Sequence, residues 1–512
     1  GSGGAKARCN LAPMSVSAEK AVPRVSERGR RVPASPIRKL ASYADAAKKR
    51  GVKGYHLNIG QPDLETPAPM RDRLAQIKDK VYAYTPSNGT AECLDFLVGY
   101  YRGRGVELTK SQVITTTGGS EAIQFAFMAC CEVGDEALLV EPFYTNYRAF
   151  AAMGGIDLKP IVTRAEDGFH LPSREEWEKA LTPKTKAVLL CNPNNPTGTV
   201  YSKEELVRVA EFCRDHGLFL IADEVYREFV YDGRQVESAL SLEGFEDVVV
   251  VVDSLSKRYS ACGIRLGCLA TRNKDVYQAC LHMAQGRLSP PGLAQAIAPG
   301  AALLGPDYVE GVVKEYGHRR DILYEELTKI PGIFFRKPEG AFYFVARIPV
   351  KDSEDFAQWL LTDFQLDGAT VMVAPADGFY ATPGLGKDEV RIAYVLKSED
   401  LKAACKVLEA AIPAYRAARG LCPETSQSTL FARVPAPPSR HLLFRRPGPT
   451  FSSRDRQFQR VRLTYRPDLP WPARNHSPPP PSPPGQGRRE RRPIGTLPAA
   501  FSEQVIDGRS PR

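Results

Sequence analysis

The chain has 512 residues, of which 43% are hydrophobic, and this length is enough for a large core and more than one domain. Its net charge of +10 comes entirely from residues 421–512, which hold sixteen arginines against six acidic residues, whereas residues 1–420 balance 53 basic with 53 acidic side chains. The balanced body is not expected to bind nucleic acid, and no apolar run approaches the roughly 20 residues of a membrane span.

The N-terminal segment is basic. Residues 1–40 hold nine Lys or Arg and two Glu, with several Ser and Ala, a composition that weakly resembles an organellar transit segment. Met14 is an alternative native start. We expect residues 1–35 to be flexible and the protein to be cytoplasmic, or mitochondrial or plastidic if this segment directs transit.

Six apolar runs alternate with helical patterns between about residues 80 and 305. The runs are QVITTT (112–117), EALLV (136–140), AVLLC (187–191), LFLIAD (218–223), VVVVVD (248–253) and LGCLAT (266–271). This alternation predicts an α/β domain over about 71–305, in which helices cover both faces of a mostly parallel sheet.

The pattern changes after residue 305. A long amphipathic helix starting near Asp307, short strands in GAFYFVARI and EVRIAYVL, and a final helix from Ser398 predict a smaller α+β domain. We expect this domain to combine residues 306–415 with 36–70.

The last part of the chain differs in composition. Residues 421–512 contain eighteen prolines, including PPPPSPP, and cannot bury enough apolar surface to offset the entropy of ordering, so a disordered tail is predicted. The eleven cysteines of the whole chain form no CxxC motif and no His/Cys cluster, so no metal site is expected.

Several polar residues follow the apolar runs. In a parallel sheet these positions meet at one edge, where ligands bind. Gly118, Gly119 and Ser120 open a helix whose N-terminus could bind phosphate, and Ser254 and Arg265 suit phosphate oxygens. The same edge therefore predicts an anion site.

The remaining residues of this edge suit an aromatic heterocycle. Asp223 ends a buried run and requires a cation, such as a protonated ring nitrogen. Asn195 and Tyr226 can donate to a phenolate oxygen, Tyr144 can stack on a ring, and Lys257 can bind an aldehyde. Together these groups predict pyridoxal phosphate.

Six motifs carry a resemblance to a known family. NIGQPD, YTPSNG, NPNNPTG, ADEVY, SLSKRYSACGIRLG and VRIAYV resemble, in order, the motifs of class I/II (fold type I) aminotransferases over about residues 36–415.

The resemblance implies a role for each matching residue. Lys257 matches the lysine that binds the cofactor covalently, and Arg391 and Gly60 match the contacts of the substrate α-carboxylate. The other matches are Asp223 at the ring nitrogen, Asn195 and Tyr226 at the phenolate, and Gly119, Ser120, Ser254 and Arg265 at the phosphate.

Two further matches concern a second subunit or the substrate side chain. Tyr84 matches a tyrosine that reaches the phosphate bound by the other subunit, which implies a homodimer with shared active sites. Tyr144 replaces the tryptophan that stacks on the ring in many members. The arginine that binds a distal carboxylate in some aspartate enzymes has no secure match, and Arg287 is its candidate.

The favoured function is an aminotransferase that uses aspartate or an aromatic amino acid with 2-oxoglutarate. One alternative is a carbon–sulfur β-lyase or an aminocyclopropane-carboxylate-synthase-like enzyme on the same fold. Another is an RNA- or scaffold-binding protein that acts through its arginine-rich tail. The sequence does not determine the amino donor.

Overall fold

The computed structural model describes residues 23–421, and these residues form fourteen α-helices and twelve strands. The helices are α1 Glu27–Arg31, α2 Ala41–Lys49, α3 Ala68–Gln76, α4 Ala91–Arg102, α5 Gly118–Cys130, α6 Asn146–Gly154, α7 Arg174–Ala180, α8 Lys203–Asp215, α9 Leu255–Arg258, α10 Lys274–Gly286, α11 Gly292–Ile297, α12 Pro306–Leu327, α13 Ser353–Thr362 and α14 Ser398–Ala418. The strands are β1 Lys53–His56, β2 Val113–Thr116, β3 Glu136–Glu141, β4 Asp157–Val162, β5 Thr185–Cys191, β6 Phe219–Asp223, β7 Val249–Ser254, β8 Gly267–Thr271, β9 Tyr343–Arg347, β10 Ala369–Met372, β11 Ala374–Pro375 and β12 Glu389–Ala393.

The central sheet has seven strands in the order β2-β8-β7-β6-β5-β3-β4. Strand β8 is antiparallel to both of its neighbours, and the other strands run in one direction. The predicted α/β fold with a mostly parallel sheet is confirmed. The carboxyl ends of β3, β5, β6 and β7 consequently lie at the same edge.

Strand β7 explains why both faces of the sheet are covered. Val250 and Val252 belong to one hydrophobic core, whereas Val249 and Val251 belong to the other. Side chains alternate between the two faces of a strand, so a continuous run of valines fills both cores.

Two smaller sheets contain the remaining strands. β1 pairs in parallel with β10, which joins residues 53–56 to residues 369–372, and β9, β11 and β12 form an antiparallel sheet. Helices α12 and α14 pack against each other. The division into domains of 71–305 and of 36–70 with 306–415 remains a prediction.

Two other predictions concern the ends of the chain. The tail prediction for 421–512 falls, except for residue 421, outside the described residues, as does most of the predicted flexible segment 1–35. Residues 23–35 contain α1, where Arg31 pairs with Asp157 at 2.7 Å. Among residues 23–421, no helix is long and apolar enough to cross a membrane.

Candidate active site

A cavity of about 770 Å³ opens at the carboxyl edge of the central sheet. The structure brings eleven of the thirteen predicted site residues to its wall: Gly60, Gly119, Ser120, Tyr144, Asn195, Asp223, Tyr226, Ser254, Lys257, Arg265 and Arg391. Tyr84 and Arg287 do not line it. A second cavity, of about 570 Å³, contains none of the predicted residues.

Lys257 lies just beyond β7, in the short helix α9. Its Nζ donates to the backbone oxygen of Gly60 at 2.7 Å and lies 3.9 Å from Sγ of Cys262. A Cβ at position 60 would lie 1.5 Å from the hydroxyl of Tyr343, so only glycine fits there. The contact places the amine inside the cavity, next to the segment that carries Gly60.

Asp223 is a buried carboxylate without a cationic partner among the described residues. It accepts a hydrogen bond from the hydroxyl of Tyr147 at 2.6 Å and another from the backbone N–H of Val225 at 3.2 Å. Burial raises the pKa of Asp223 from 3.8 to about 6, although the Tyr147 hydroxyl opposes this shift. A cation placed beside Asp223 would stabilise its ionised form.

Three polar side chains of the cavity wall contact one another. The hydroxyls of Tyr226 and Tyr343 lie 3.1 Å apart, and Nδ2 of Asn195 donates to the Tyr226 hydroxyl at 3.4 Å. Burial raises the pKa of Tyr226 well above its usual value, so its hydroxyl keeps its proton at neutral pH. Asn195 and Tyr226 are therefore suited to donate to a ligand oxygen.

Arg391 is a buried cation without an acidic partner among residues 23–421. From β12 it donates to the backbone oxygen of Asn58 and to Oδ1 of Asn195, while its Nε has no hydrogen-bond partner. The Tyr343 ring lies 4.5 Å from its guanidinium carbon. Burial disfavours the charged guanidinium and lowers the pKa of Arg391. A bound carboxylate would stabilise the charged form and compensate for the cost of burying it.

The N-terminus of α5 forms one side of the cavity. Gly118 has φ +73°, and a Cβ there would lie 2.6 Å from Nη2 of Arg265. Thr117 provides no side-chain cap, which leaves N–H groups of the first turn for a ligand. Ser254, at the end of β7, also lines this side. These groups match the donor set that phosphate oxygens require.

The two predicted residues outside the cavity have different environments. Tyr84 is 80% exposed, on the segment between α3 and α4. Arg287 is half-buried and donates to Oε2 of Glu121 at 2.6 Å and to the backbone oxygens of Ser87 and Thr115. The structure thus does not bring Arg287 to the cavity of its own chain.

Sequence reasoning missed several residues of the cavity wall. Tyr147 contacts Asp223, and the spacing of one helical turn from Tyr144 is a signal that could have identified it. Arg38, ahead of α2, is exposed at the cavity and has no hydrogen bond or ion pair from its guanidinium to the described residues. Tyr343 and Cys262 also line the wall, and no sequence signal distinguished them from core residues.

The cavity fits pyridoxal phosphate by the chemistry of its side chains. It contains an unpaired buried carboxylate, Asp223, for a protonated ring nitrogen, and an amine, Lys257, for an aldehyde. Hydroxyl and amide donors face the same space as the N-terminus of α5. Each polar part of the cofactor therefore has a complementary group.

Comparison with known proteins gives a consistent result. Residues 52–408 match the family described as aminotransferase class I and II. A probable aspartate/prephenate aminotransferase of Aquifex aeolicus (strain VF5) is 32% identical over 374 residues, which cover 72% of this chain and 93% of the relative. Aromatic-amino-acid aminotransferase 2 of Thermococcus litoralis is 31% identical over 395 residues, covering 75% and 97%. The structure of Thermus thermophilus aspartate aminotransferase with maleate superposes with a TM-score of 0.69 at 28% identity, covering 76% of this chain and all of that one.

Proposed function

The chain belongs to the class I and II aminotransferase family, which depends on pyridoxal phosphate, and from this membership we propose that it moves the amino group of aspartate or an aromatic amino acid to 2-oxoglutarate. The observation that carries the proposal is that one cavity contains two buried side chains of opposite charge, each without a partner. Asp223 is a buried anion without a cation, and Arg391 is a buried cation without an anion, within the described chain. An amino acid and a pyridinium ring supply the two missing charges.

The cofactor would be held by residues on several sides of the cavity. Gly119, Ser120, Ser254 and Arg265 would bind its phosphate, Asn195 and Tyr226 its phenolic oxygen, and Tyr144 one face of its ring. The hydrogen bond from Tyr147 would hold the Asp223 carboxylate in place for the ring nitrogen. When bound, pyridoxal phosphate supplies an aldehyde and a ring that accepts electrons from the substrate Cα.

Lys257 and Arg391 would act on the substrate. Arg391 binds the α-carboxylate with two N–H groups, which orients the Cα–H bond relative to the amine. Nζ of Lys257 then takes the Cα proton as a general base. This role is supported by the contact of Nζ with the backbone oxygen of Gly60, since both residues line the cavity.

The choice between the two donor classes depends on the groups near the substrate side chain. The relatives named for aspartate and for aromatic amino acids support both. The Arg38 guanidinium lines the cavity and has no partner in the described chain, so it is available to a distal carboxylate, whereas Tyr343 offers a surface for an aromatic ring. We propose that both donor classes enter this cavity.

The exposed segment before α4 supports a homodimer. Val81, Tyr82 and Tyr84 are 76%, 72% and 80% exposed, which is unusual for three apolar or aromatic side chains so close together. Tyr84 of the partner subunit would reach the cofactor phosphate. Sedimentation equilibrium of the purified holoenzyme is expected to give twice the chain mass.

A substrate panel tests the function. Each standard amino acid except glutamate and proline is combined with 2-oxoglutarate, and formation of the matching 2-oxo acid is measured. Aspartate, phenylalanine or tyrosine should give the highest kcat/KM. Release of pyruvate and ammonia from cysteine conjugates without any added 2-oxo acid would instead support the β-lyase.

Covalent labelling tests the site. Borohydride reduction of the holoenzyme should attach the cofactor to a peptide that contains Lys257, and Lys257→Ala should abolish both the label and turnover. A label on another lysine would contradict the assignment.

A further inference from the structure

Arg287 joins three segments of the chain beside the cavity. It follows α10, and its guanidinium donates to Oε2 of Glu121 at 2.6 Å, to the oxygen of Ser87 at 3.0 Å and to the oxygen of Thr115 at 3.2 Å. The side chains of Arg287 and Glu121 are only 16% and 18% exposed. Solvent therefore screens this ion pair less than a surface pair.

Glu121 lies in the first turn of α5, the helix whose N-terminus faces the cavity. Its Oε2 also accepts the backbone N–H of Thr117 at 2.7 Å. A carboxylate in this position interacts favourably with the positive end of the helix dipole, but it also repels any other anion bound there. The positive charge of Arg287 compensates for the negative charge of Glu121, which would otherwise repel a bound phosphate.

The segment around Ser87 is held by the same arginine. The hydroxyl of Ser87 donates to the oxygen of Leu288 at 2.6 Å, and the N–H of Thr115 donates to the oxygen of Asn88 at 2.9 Å. Tyr84 lies three residues before Ser87. The hydrogen bonds of Arg287 thus connect the turn that opens α5 to the segment that carries Tyr84.

We propose that Arg287 and Glu121 form a positioning pair for the cofactor phosphate. Arg287 neutralises Glu121 and holds the turn at 115–120 in the geometry that presents the N–H groups of α5 to the phosphate. The inference rests on the proposed function, and it assigns Arg287 to the cofactor side of the site rather than to a substrate carboxylate.

Three variants test the pair: Arg287→Ala, Glu121→Gln, and both together. The measurement is the dissociation constant of pyridoxal phosphate, obtained by diluting the holoenzyme and following the cofactor absorbance. Arg287→Ala should weaken binding by about tenfold or more, because it leaves Glu121 uncompensated beside the phosphate. Glu121→Gln retains an acceptor for Thr117 and removes the negative charge beside the phosphate, so it should bind the cofactor at least as tightly as the wild type.

The double variant separates charge compensation from a general loss of structure. It removes both charges, so we expect it to bind the cofactor at least about threefold more tightly than Arg287→Ala alone. Arg287→Lys keeps the charge but cannot make all the hydrogen bonds of the guanidinium, so it should weaken cofactor binding by less than about tenfold. It provides a second test if Arg287→Ala does not fold.

A matched control is available in the pair Arg73–Glu92. It has the same 2.6 Å separation, and Arg73 likewise donates to a backbone oxygen, that of Ala296, but neither residue lines the cavity. Glu92→Gln and Arg73→Ala should leave the cofactor dissociation constant within about twofold of the wild type.

Several results would overturn the inference. These are an unchanged dissociation constant in Arg287→Ala, a double variant as weak as Arg287→Ala, or a tenfold loss in Arg287→Lys. A fall of more than about tenfold in the ratio of kcat/KM for aspartate to that for phenylalanine in Arg287→Ala would show a substrate contact instead. Failure of the wild-type protein to bind the cofactor would reject the proposed function itself, which is a separate result.

Discussion

Asp223 shows how strongly one buried charge depends on its ligand. Its pKa rises from 3.8 to about 6 because the carboxylate is buried, so the folded, cofactor-free protein binds this proton more tightly than the unfolded chain does. The free energy of unfolding of the cofactor-free protein should therefore decrease as the pH rises from about 4 to about 6. Above pH 6 the Asp223 carboxylate lowers this free energy by about 2–3 kcal/mol. A protonated ring nitrogen beside Asp223 would restore this free energy, because it pairs with the ionised carboxylate.

The first prediction concerns Asp223→Asn. Because the amide carries no charge, this variant should be more stable than the wild type by about 2 kcal/mol at pH 7.5 when both are free of cofactor, and should lose the slope between pH 4 and 6. Urea unfolding at pH 4.5, 6 and 7.5 measures the difference. With cofactor present, the variant should lose at least about a hundredfold in kcat, because the ring nitrogen has no anionic partner. A cofactor-free variant less stable than the wild type at pH 7.5 would contradict the explanation.

The second prediction concerns Arg38. If its guanidinium binds a distal carboxylate, Arg38→Ala should lower the ratio of kcat/KM for aspartate to that for phenylalanine by about tenfold, equivalent to about 1.4 kcal/mol. Single half-reactions give the ratio without interference from the shared 2-oxoglutarate step. Lys39→Ala is the control, because Lys39 pairs with Glu354 and does not line the cavity. Equal losses for both substrates would exclude the role.

Helix α9 has only four residues, carries Lys257 and is held in place by a buried ion pair. Arg258, the last residue of α9, pairs with Asp253 of β7, and its guanidinium carbon lies 4.0 Å from the centre of the Tyr100 ring. Both side chains of the pair are almost completely buried, at 3% and 0% exposure. Such a pair is costly to break, because one charge is left in the interior.

The third prediction follows from this pair. Asp253→Ala should reduce the free energy of unfolding by about 3 kcal/mol and should displace Lys257, because Arg258 loses its nearer acid and keeps only Glu228, at 3.7 Å. Chemical denaturation and borohydride labelling measure the two effects. The exposed pair Arg347–Glu166 provides the comparison, since Glu166→Ala should cost less than about 1 kcal/mol. Equal losses of unfolding free energy in Asp253→Ala and Glu166→Ala would show that burial does not determine how much an ion pair stabilises this protein.

The elements differ in how well the sequence predicted them. The run at 248–253 was predicted as a strand, and the structure has β7 at Val249–Ser254. The prediction is correct because successive valines pack into two cores on opposite faces, as only a strand allows. Strand β4 was not predicted, since it lies at the sheet edge, contains Lys159 and Pro160, and is largely half-exposed or exposed. Its hydrophobic pattern is weak because only Ile161 is fully buried.

The site shows the same contrast. Asp223 ends a strand of the central sheet and Lys257 follows one, so their sequence positions predicted a common edge. Arg391 lies on β12 of another sheet, and only the family resemblance indicated its role. The bond from Tyr147 to Asp223 and the environment of Arg287 depend on how distant segments pack. Helical spacing could have indicated that Tyr147 lies near Tyr144, but motif order does not identify the partners of Tyr147 and Arg287.

At the scale of the whole molecule, the charge divides the chain into a balanced body and a basic tail. The fourth prediction is that deletion of residues 422–512 leaves kcat/KM within about twofold and the melting temperature within about 2 °C of the full chain. The truncation retains Leu421, which packs against the core. A larger loss in either measurement would show that the tail contributes to folding or activity. The cytoplasmic location, and the organellar alternative, remain predictions.

The valine strand β7 has a consequence for the motions of the active site. Its amide groups are bonded on both sides, to β6 and to β8, and its side chains belong to both cores, so no local opening can expose them. These amides should exchange with deuterium only when the whole domain unfolds. Lys257 lies three residues beyond the end of this strand. The amine that lines the cavity is thus attached to the part of the protein expected to exchange most slowly.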